Sequence, residues 1–201
     1  MVPVRLQLKN FLSYGESAPA LDFESFHVAC LSGKNGQGKS ALLDAMTWAL
    51  WGEARKVQGA VKPDENLIRV GTRQMEVEFT FDIEGDRYRV VRGYRVSETG
   101  KTNKSTLEFQ IFDAETDSYR PLTQGHLRDT QQSITNVLGI DYETFVNSAF
   151  LLQGRSDSFT RMGARDRKAI LTRILNLGRY DRLVDMARAR LRTAEHTYEM
   201  A

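Results

Sequence analysis

Apolar and polar residues alternate from the start of the chain: Val4, Leu6 and Leu8 are separated by Arg5 and Gln7, the period of a half-buried strand. Asn10 to Ser17 carries turn chemistry, and Leu21 and Phe23 resume the alternation. From His27 to Leu31 the run is continuously apolar, which predicts a strand buried on both faces, with a Gly-rich loop directly behind it. Leu42, Leu43, Ala45, Met46, Ala49 and Leu50 then recur at helical spacing from Lys39, and Gly52 is placed to end that helix. Residues 53 to 66 read as polar and irregular. Met75, Val77, Phe79, Phe81 and Ile83 alternate strictly, Glu84-Gly85-Asp86 supplies a turn, and Tyr88 to Val96 continues extended, a β-hairpin. Ser97 to Ser105 reads as a polar connection, Leu107-Phe109-Ile111 as a further strand, and Tyr119 to Leu122 as a short one.

After Pro121 the period becomes helical. Leu127, Ile134, Val137 and Leu138 mark one helix stopped by Gly139, and Asp141 is the N-cap of a second through Phe145, Val146 and Ala149. A polar loop, Gln153 to Ser158, precedes the most regular stretch of all. Leu177, Tyr180, Val184, Ala187, Leu191, Ala194 and Tyr198 step by three and four, a heptad seam. It reads as the start of a coiled coil, with a packed amphipathic helix as the alternative, and it reaches Ala201 with no stop signal, as a segment inside a longer helix would. The expected division is a globular lobe over 1–176 and coiled coil over 177–201.

Composition narrows the class without choosing a partner. With 201 residues, 41% hydrophobic, and 28 basic against 26 acidic side chains, the chain can build one domain with a core, and its net charge of +2 favours neither nucleic acid nor membrane. The single cysteine, Cys30, sits among apolar neighbours and reads as a small core side chain. No apolar run approaches a membrane span, and Met1 to Arg5 lacks the pattern of a signal peptide, so a reducing cytoplasm and no membrane are expected.

The chemistry lies in Gly33-Lys34-Asn35-Gly36-Gln37-Gly38-Lys39-Ser40, a full match to the P-loop pattern, between an apolar run and a helix. Glycines let the backbone wrap a phosphate so that successive N–H groups converge, and the helix start adds positive potential. Gly33, Asn35, Gly36, Gln37, Gly38, Lys39, Ser40 and Ala41 are therefore the expected ATP-binding residues. Lys39 would reach the β- and γ-phosphates, and the Ser40 hydroxyl would ligate Mg²⁺.

Further segments carry a family resemblance over nearly the whole chain: Leu8-Lys9-Asn10-Phe11, the continuation Ala41-Leu42-Leu43-Asp44-Ala45, Trp51-Gly52, Leu67-Ile68-Arg69-Val70-Gly71, and Phe150-Leu151-Leu152-Gln153-Gly154. The sequence resembles the SbcC-type DNA-repair ATPases, the coiled-coil component of the double-strand-break repair nuclease complex, related to the structural-maintenance-of-chromosomes proteins. The resemblance implies an α/β fold of P-loop, ABC-ATPase head type, with an antiparallel β layer joined to a sheet around the P-loop. It makes Gln153 the Q-loop glutamine, which contacts Mg²⁺ and the attacking water, and sets Ile68, Arg69 and Val70 against the base and sugar. It also implies as partners a C-terminal lobe of the same ATPase, a second head in a homodimer, an SbcD-type nuclease and double-stranded DNA. Where some members carry an arginine after the Asn-Phe pair, this chain has Leu12 followed by Ser13.

No Leu-Ser-Gly-Gly signature and no apolar strand ending in Asp-Glu occurs in these residues, so the resemblance makes the chain half of an active site. His27, His126 and His196 are scattered and give little support to a metal nuclease. Arg87, Arg89, Arg92 and Arg95 fall along the hairpin and read as one row of guanidinium groups, a solvated face or a contact for DNA phosphates. The rival readings are another chromosome-organising or recombination ATPase of the same superfamily, a self-contained P-loop kinase or GTPase, and a structural module with a degenerate P-loop. The intact Lys39 and Ser40 oppose the last.

Overall fold

The structure, a computed structural model, describes residues 1–54, 64–98, 102–148, 162–174 and 178–199. It divides into two compact units, Met1–Leu138 and Gly139–Ala201.

In the first unit, β1 (Val2–Lys9), β2 (Leu21–Asp22), β3 (Gln74–Ile83), β4 (Asp86–Val96), β5 (Asn103–Asp113) and β6 (Ser118–Pro121) form one sheet in the order β2-β1-β3-β4-β5-β6. Every neighbouring pair is antiparallel. The pleat puts Leu6 opposite Phe79, Phe79 opposite Val90 and Val90 opposite Phe109, and all four are fully buried. Around this row run ring contacts from Phe79 to Phe81 at 5.5 Å, Phe81 to Tyr88 at 5.9 Å and Tyr88 to Phe109 at 5.6 Å. Burying each such side chain contributes roughly 1.5–3 kcal/mol. The β3–β4 turn falls on Glu84 and Gly85, both at positive φ as a two-residue hairpin of right-handed twist requires.

Between β1 and β3 the chain forms α1 (Lys39–Trp51), which packs on β3 and β4 and is buried on almost every side. Its small residues Ala41, Ala45 and Ala49 permit close approach to the sheet, and the Trp48 ring lies 5.7 Å from that of Phe11. Gly52 closes the helix in the left-handed conformation, its N–H donating to the Trp48 carbonyl at 2.8 Å. A 3₁₀ turn, Asp64–Leu67, stands where irregular chain is expected, and Asp64 accepts the Trp48 indole N–H at 2.9 Å. β5 begins inside the expected connection because Asn103, Lys104 and Ser105 continue the pairing with Val96, Arg95 and Tyr94. α2 (Leu127–Leu138) covers β5 and α1 with Ile134 fully buried.

One expected element is absent. His27 to Leu31 forms no strand; Val28 is 90% exposed, Leu31 49%, and Cys30 is an exposed free thiol instead of a core residue. An interior strand needs hydrogen-bonded neighbours on both sides, and among the described residues no strand pairs with this stretch. The glycine-rich loop therefore follows irregular, exposed chain, and the described sheet is the antiparallel layer alone.

The second unit contains α3 (Tyr142–Ser148), capped by Asp141 Oδ1 accepting the Thr144 N–H at 2.8 Å, together with α4 (Ala164–Ile174) and α5 (Gly178–Glu199). α3 packs against α4. Along the 22 residues of α5, Tyr180, Val184, Leu191 and Tyr198 are exposed. Ala149 of the expected second helix and Leu177 of the heptad seam lie outside the described residues. No helix among the described residues is long and apolar enough to cross a membrane.

Candidate functional site

The loop from Gly33 to Ser40 takes its shape from three glycines at positive φ: Gly33 at 146°, Gly36 at 86° and Gly38 at 85°. L side chains rarely adopt these angles. At Gly38 space is also decisive, because a Cβ there would stand 2.3 Å from Ser13 Oγ and 3.2 Å from Tyr14 Cε2. Lys34 and Gln37 close the loop on itself, the Lys34 N–H donating to Gln37 Oε1 at 3.0 Å and the Gln37 N–H to the Lys34 carbonyl at 3.4 Å. Gly38 is the N-cap of α1 and offers no side-chain cap, so the first-turn N–H groups point out of the helix without a capping side-chain oxygen on them.

Lys39 folds back across this loop. Its ammonium donates to the carbonyls of Gly33 at 2.6 Å and Lys34 at 2.8 Å, which holds one positive charge over the bend. Lys34, Asn35, Gly36 and Gln37 are exposed, while Ser40 is half-buried and Ala41 buried. Asp44, one turn beyond Ser40, is 3% exposed, a carboxylate inside the helix face that no spacing in the sequence singles out.

A second segment buttresses the loop. Asn10 and Leu12 have φ of 53° and 51°, which folds residues 10–15 into a tight turn closed by Asn10 N–H to the Gly15 carbonyl at 3.3 Å and Tyr14 N–H to the Phe11 carbonyl at 2.9 Å. The turn sets Ser13 against Gly38 and lets the Tyr14 hydroxyl donate to the Gly38 carbonyl at 3.3 Å. Burial raises the Tyr14 phenol above its ordinary range, so it keeps that proton. Ile68 bridges Phe11, the Leu12 N–H donates to the Leu67 carbonyl at 2.7 Å, and the Arg69 guanidinium donates to the Ser13 carbonyl. Residues 67–69 thus brace the turn that braces the P-loop. Val70 is 98% exposed.

The structure therefore brings together Gly33 through Ala41, with Arg69 joined to them through Ser13. Gln153 lies outside the described residues. In the sequence Tyr14 is legible only as a turn former and Ser13 only as a neighbour of the arginine position in the resemblance, and nothing in their spacing marks them as contacts of Gly38.

The arginine row needs correction. Tyr88, Val90 and Tyr94 mark the core face of β4, and Arg92 falls in phase with them, whereas Arg87, Arg89 and Arg95 occupy the other face. Arg87 is held by Asp82 at 2.9 Å and Glu24 at 2.6 Å; Arg89 donates to Gln110 at 2.7 Å and covers the Tyr119 ring. Arg95 lies directly across from Lys104, and neither has a carboxylate partner among the described residues. Both line a groove of about 710 Å³ with Arg73, Asn103 and two carboxylates, Glu16 and Glu98.

The family model described as AAA domain matches residues 5–193. The chain belongs to the AAA domain family. Within it, this AAA domain is 32% identical over 98% of its length to the SbcC component of the nuclease SbcCD of Deinococcus radiodurans, and 33% identical over 90% of its length to the DNA double-strand break repair Rad50 ATPase of Thermoplasma volcanium. The chain spans only 21% and 18% of those proteins' own lengths. The structure of the recombination mediator protein RecF with ATP aligns over 79% of this chain and 36% of its own at 15% identity and a TM-score of 0.42, a likeness too loose to bear on the site. The AAA domain is a mixed α/β P-loop domain related to the SbcC and Rad50 ATPases, as the sequence motifs imply.

Proposed function

We propose that this AAA domain is the nucleotide-binding lobe of a DNA-repair ATPase head, with ATP and Mg²⁺ bound on the loop from Gly33 to Ala41. The supporting observation is Gly38: its left-handed backbone opens the start of α1, and its contact with Ser13 leaves no room for a side chain in the cradle. An anion in that cradle would accept from the first-turn N–H groups, and the Lys39 ammonium would exchange two carbonyls for phosphate oxygens. When bound, Mg²⁺ neutralises the charge on the β- and γ-phosphates, and the Ser40 hydroxyl and the Gln153 amide oxygen are its proposed ligands. The base and ribose are assigned to the side of Ile68, Arg69 and Val70, with Arg69 keeping its hold on Ser13.

Hydrolysis is assigned to a composite site. The chain is about a fifth of the length of its curated relatives, and Phe26, Val28 and Leu31 expose an apolar stretch beside the loop that a strand of a C-terminal lobe would cover. A second head in a homodimer, double-stranded DNA and an SbcD-type nuclease complete the proposed assembly, in a reducing cytoplasm that suits the exposed Cys30. α5 is the proposed start of a coiled coil, for which exposed Val184 and Leu191 supply part of a seam. On the sheet, Arg95, Lys104 and Arg73 are the proposed phosphate contacts, because Arg87 is already matched by carboxylates and Arg89 by Gln110 and the Tyr119 ring.

The test is calorimetric titration of the chain with Mg·ATP, Mg·GTP and Mg²⁺ alone. Saturable binding of Mg·ATP at one site, weakened roughly ten- to a hundredfold in Lys39→Ala, supports the reading. Selective binding of Mg·GTP would favour a GTPase instead.

A further inference from the structure

Arg92 is a guanidinium in phase with Tyr88, Val90 and Tyr94 on the core face of β4, and its partners are the end of α1 and a side chain of α2. Its Nε donates to the Ala49 carbonyl at 3.0 Å, and its Nη2 donates to Gln131 Oε1. Gln131 returns the contact from α2, its Nε2 donating to the Leu50 carbonyl at 2.8 Å. With Gly52 N–H on the Trp48 carbonyl, three of the last four carbonyls of α1 are satisfied by named donors, two of them from other elements. The guanidinium stands 5.9 Å from the Trp48 ring, and a Cβ on Gly52 would come within 3.2 Å of its Nη1. Burial lowers the Arg92 pKa to about 10, with Asp64 partly offsetting, so the group is charged at neutral pH and complements the negative end of the helix.

The same helix begins at the glycine-rich loop. Its 13 residues span about 20 Å. Ser13 and Tyr14 seat one end at Gly38, and Arg92 and Gln131 seat the other. A rigid helix clamped at both ends transmits a displacement of either end along its axis. We propose that Arg92 and Gln131 are positioning residues of the P-loop helix, which lock its far end to β4 and α2 and so set how the loop presents its N–H groups to a phosphate. The inference rests on the reading of Gly33 to Ala41 as the nucleotide site. It gives β4 a part on both faces of the sheet, with Arg89 and Arg95 outside and Arg92 inside, holding the nucleotide helix.

The experiment uses the 201-residue chain and five variants: Arg92→Met, Gln131→Met, the double variant of these two, Lys39→Ala and Ile134→Val. Ile134→Val trims a buried side chain of α2 that touches none of the α1 carbonyls named above, and so controls for stability alone. Mg·ATP affinity is measured well below each melting temperature, with amide hydrogen exchange of residues 36–41 in the nucleotide-free chain. Arg92→Met and Gln131→Met are expected to weaken Mg·ATP roughly three- to thirtyfold. They should also speed exchange at 36–41 while Ile134→Val changes neither, and the double variant should lose less than the product of the two single losses. Wild-type affinity and exchange in either folded variant overturn the inference. Should Arg92→Met not fold, Gln131→Met decides alone, because it leaves the buried cation in place. Unchanged binding in Lys39→Ala would instead remove the nucleotide reading itself, an outcome distinct from failure of the positioning role.

Discussion

Gly38 has its Cα hydrogens against Ser13, so that a Cβ there would meet Ser13 Oγ at 2.3 Å, whereas one on Gly36 would meet nothing within 4 Å. Both residues sit at nearly the same positive φ, 85° and 86°. The backbone strain of an alanine is therefore alike at the two, about 1–3 kcal/mol, and only Gly38→Ala adds a collision. Gly38→Ala is expected to weaken Mg·ATP by more than about tenfold relative to Gly36→Ala, with far-UV circular dichroism unchanged in both. Equal losses by calorimetry would show that the Ser13 contact is immaterial.

The elements legible in the sequence are those fixed locally. Glu84-Gly85 between two alternating runs determines the β3–β4 hairpin, Gly52 ends α1, and Asp141 caps α3, each through a turn or cap a few residues long. What the pattern misses depends on pairing at a distance. His27 to Leu31 has the composition of an interior strand, but composition cannot supply the neighbouring strands, and without them the run stays irregular and Cys30 exposed. Proximity in sequence groups Arg92 with Arg87 and Arg89, although its even spacing from Tyr88, Val90 and Tyr94 carries the signal for the core face. The loop itself is legible because a fixed pattern of glycines dictates backbone, while its support by Ser13, Tyr14 and Arg69 arises only when residues 10–15 and 67–69 meet.

Deprotonation of buried tyrosines should cost the chain stability at alkaline pH. The phenols of Tyr88 and Tyr94 are raised above the ordinary 10.0 chiefly by burial, and the Lys9 ammonium is raised above 10.5 by its hydrogen bond to Glu76. A proton held more tightly in the folded chain stabilises fully below the unfolded pKa, and that stability is lost as pH rises through the folded value. Arg92 acts in the opposite sense, since its folded pKa, lowered by burial to about 10, makes the unfolded chain the tighter proton binder. Above pH of about 10 the tyrosine and lysine contributions are therefore lost while that of Arg92 grows, and the tyrosine share is read by comparing the chain with its double variant Tyr88→Phe, Tyr94→Phe. Relative to its value at neutral pH, the melting temperature of that variant should drop less, or rise more, above pH of about 10 than that of the parent chain, and an identical pH profile in both would contradict the assignment.

Charge on the outer sheet face should matter only where it is uncompensated. Arg95→Ala and Lys104→Ala are expected to weaken duplex DNA binding and each reduce the slope of log K against log salt by about 0.9. Arg87→Ala, whose guanidinium is shared between Asp82 and Glu24, should change the slope little. Fluorescence anisotropy across a salt series checks this, and a larger effect at Arg87 than at Arg95 would assign the contact to the other end of the hairpin.

Turnover should require more than this lobe. On the proposed reading, the chain alone is expected to bind Mg·ATP with negligible phosphate release, and mixing with the C-terminal lobe of an SbcC-type ATPase should restore hydrolysis. In that mixture Gln153→Ala should leave affinity largely intact while lowering kcat, because its proposed contacts are to metal and water. Brisk hydrolysis by the chain alone, indifferent to Gln153→Ala, would mark a self-contained enzyme.

The most direct measurement of the central claim is the Mg·ATP affinity of the chain against that of Lys39→Ala. Lys39 Nζ lies on the carbonyls of Gly33 and Lys34 at 2.6 and 2.8 Å, poised over the loop that three left-handed glycines shape. Removing a charge-assisted contact of about 1.5–3 kcal/mol should weaken binding roughly ten- to a hundredfold, with the melting temperature of the free chain held within a few degrees. Calorimetry that returned the same affinity for both chains would contradict the account.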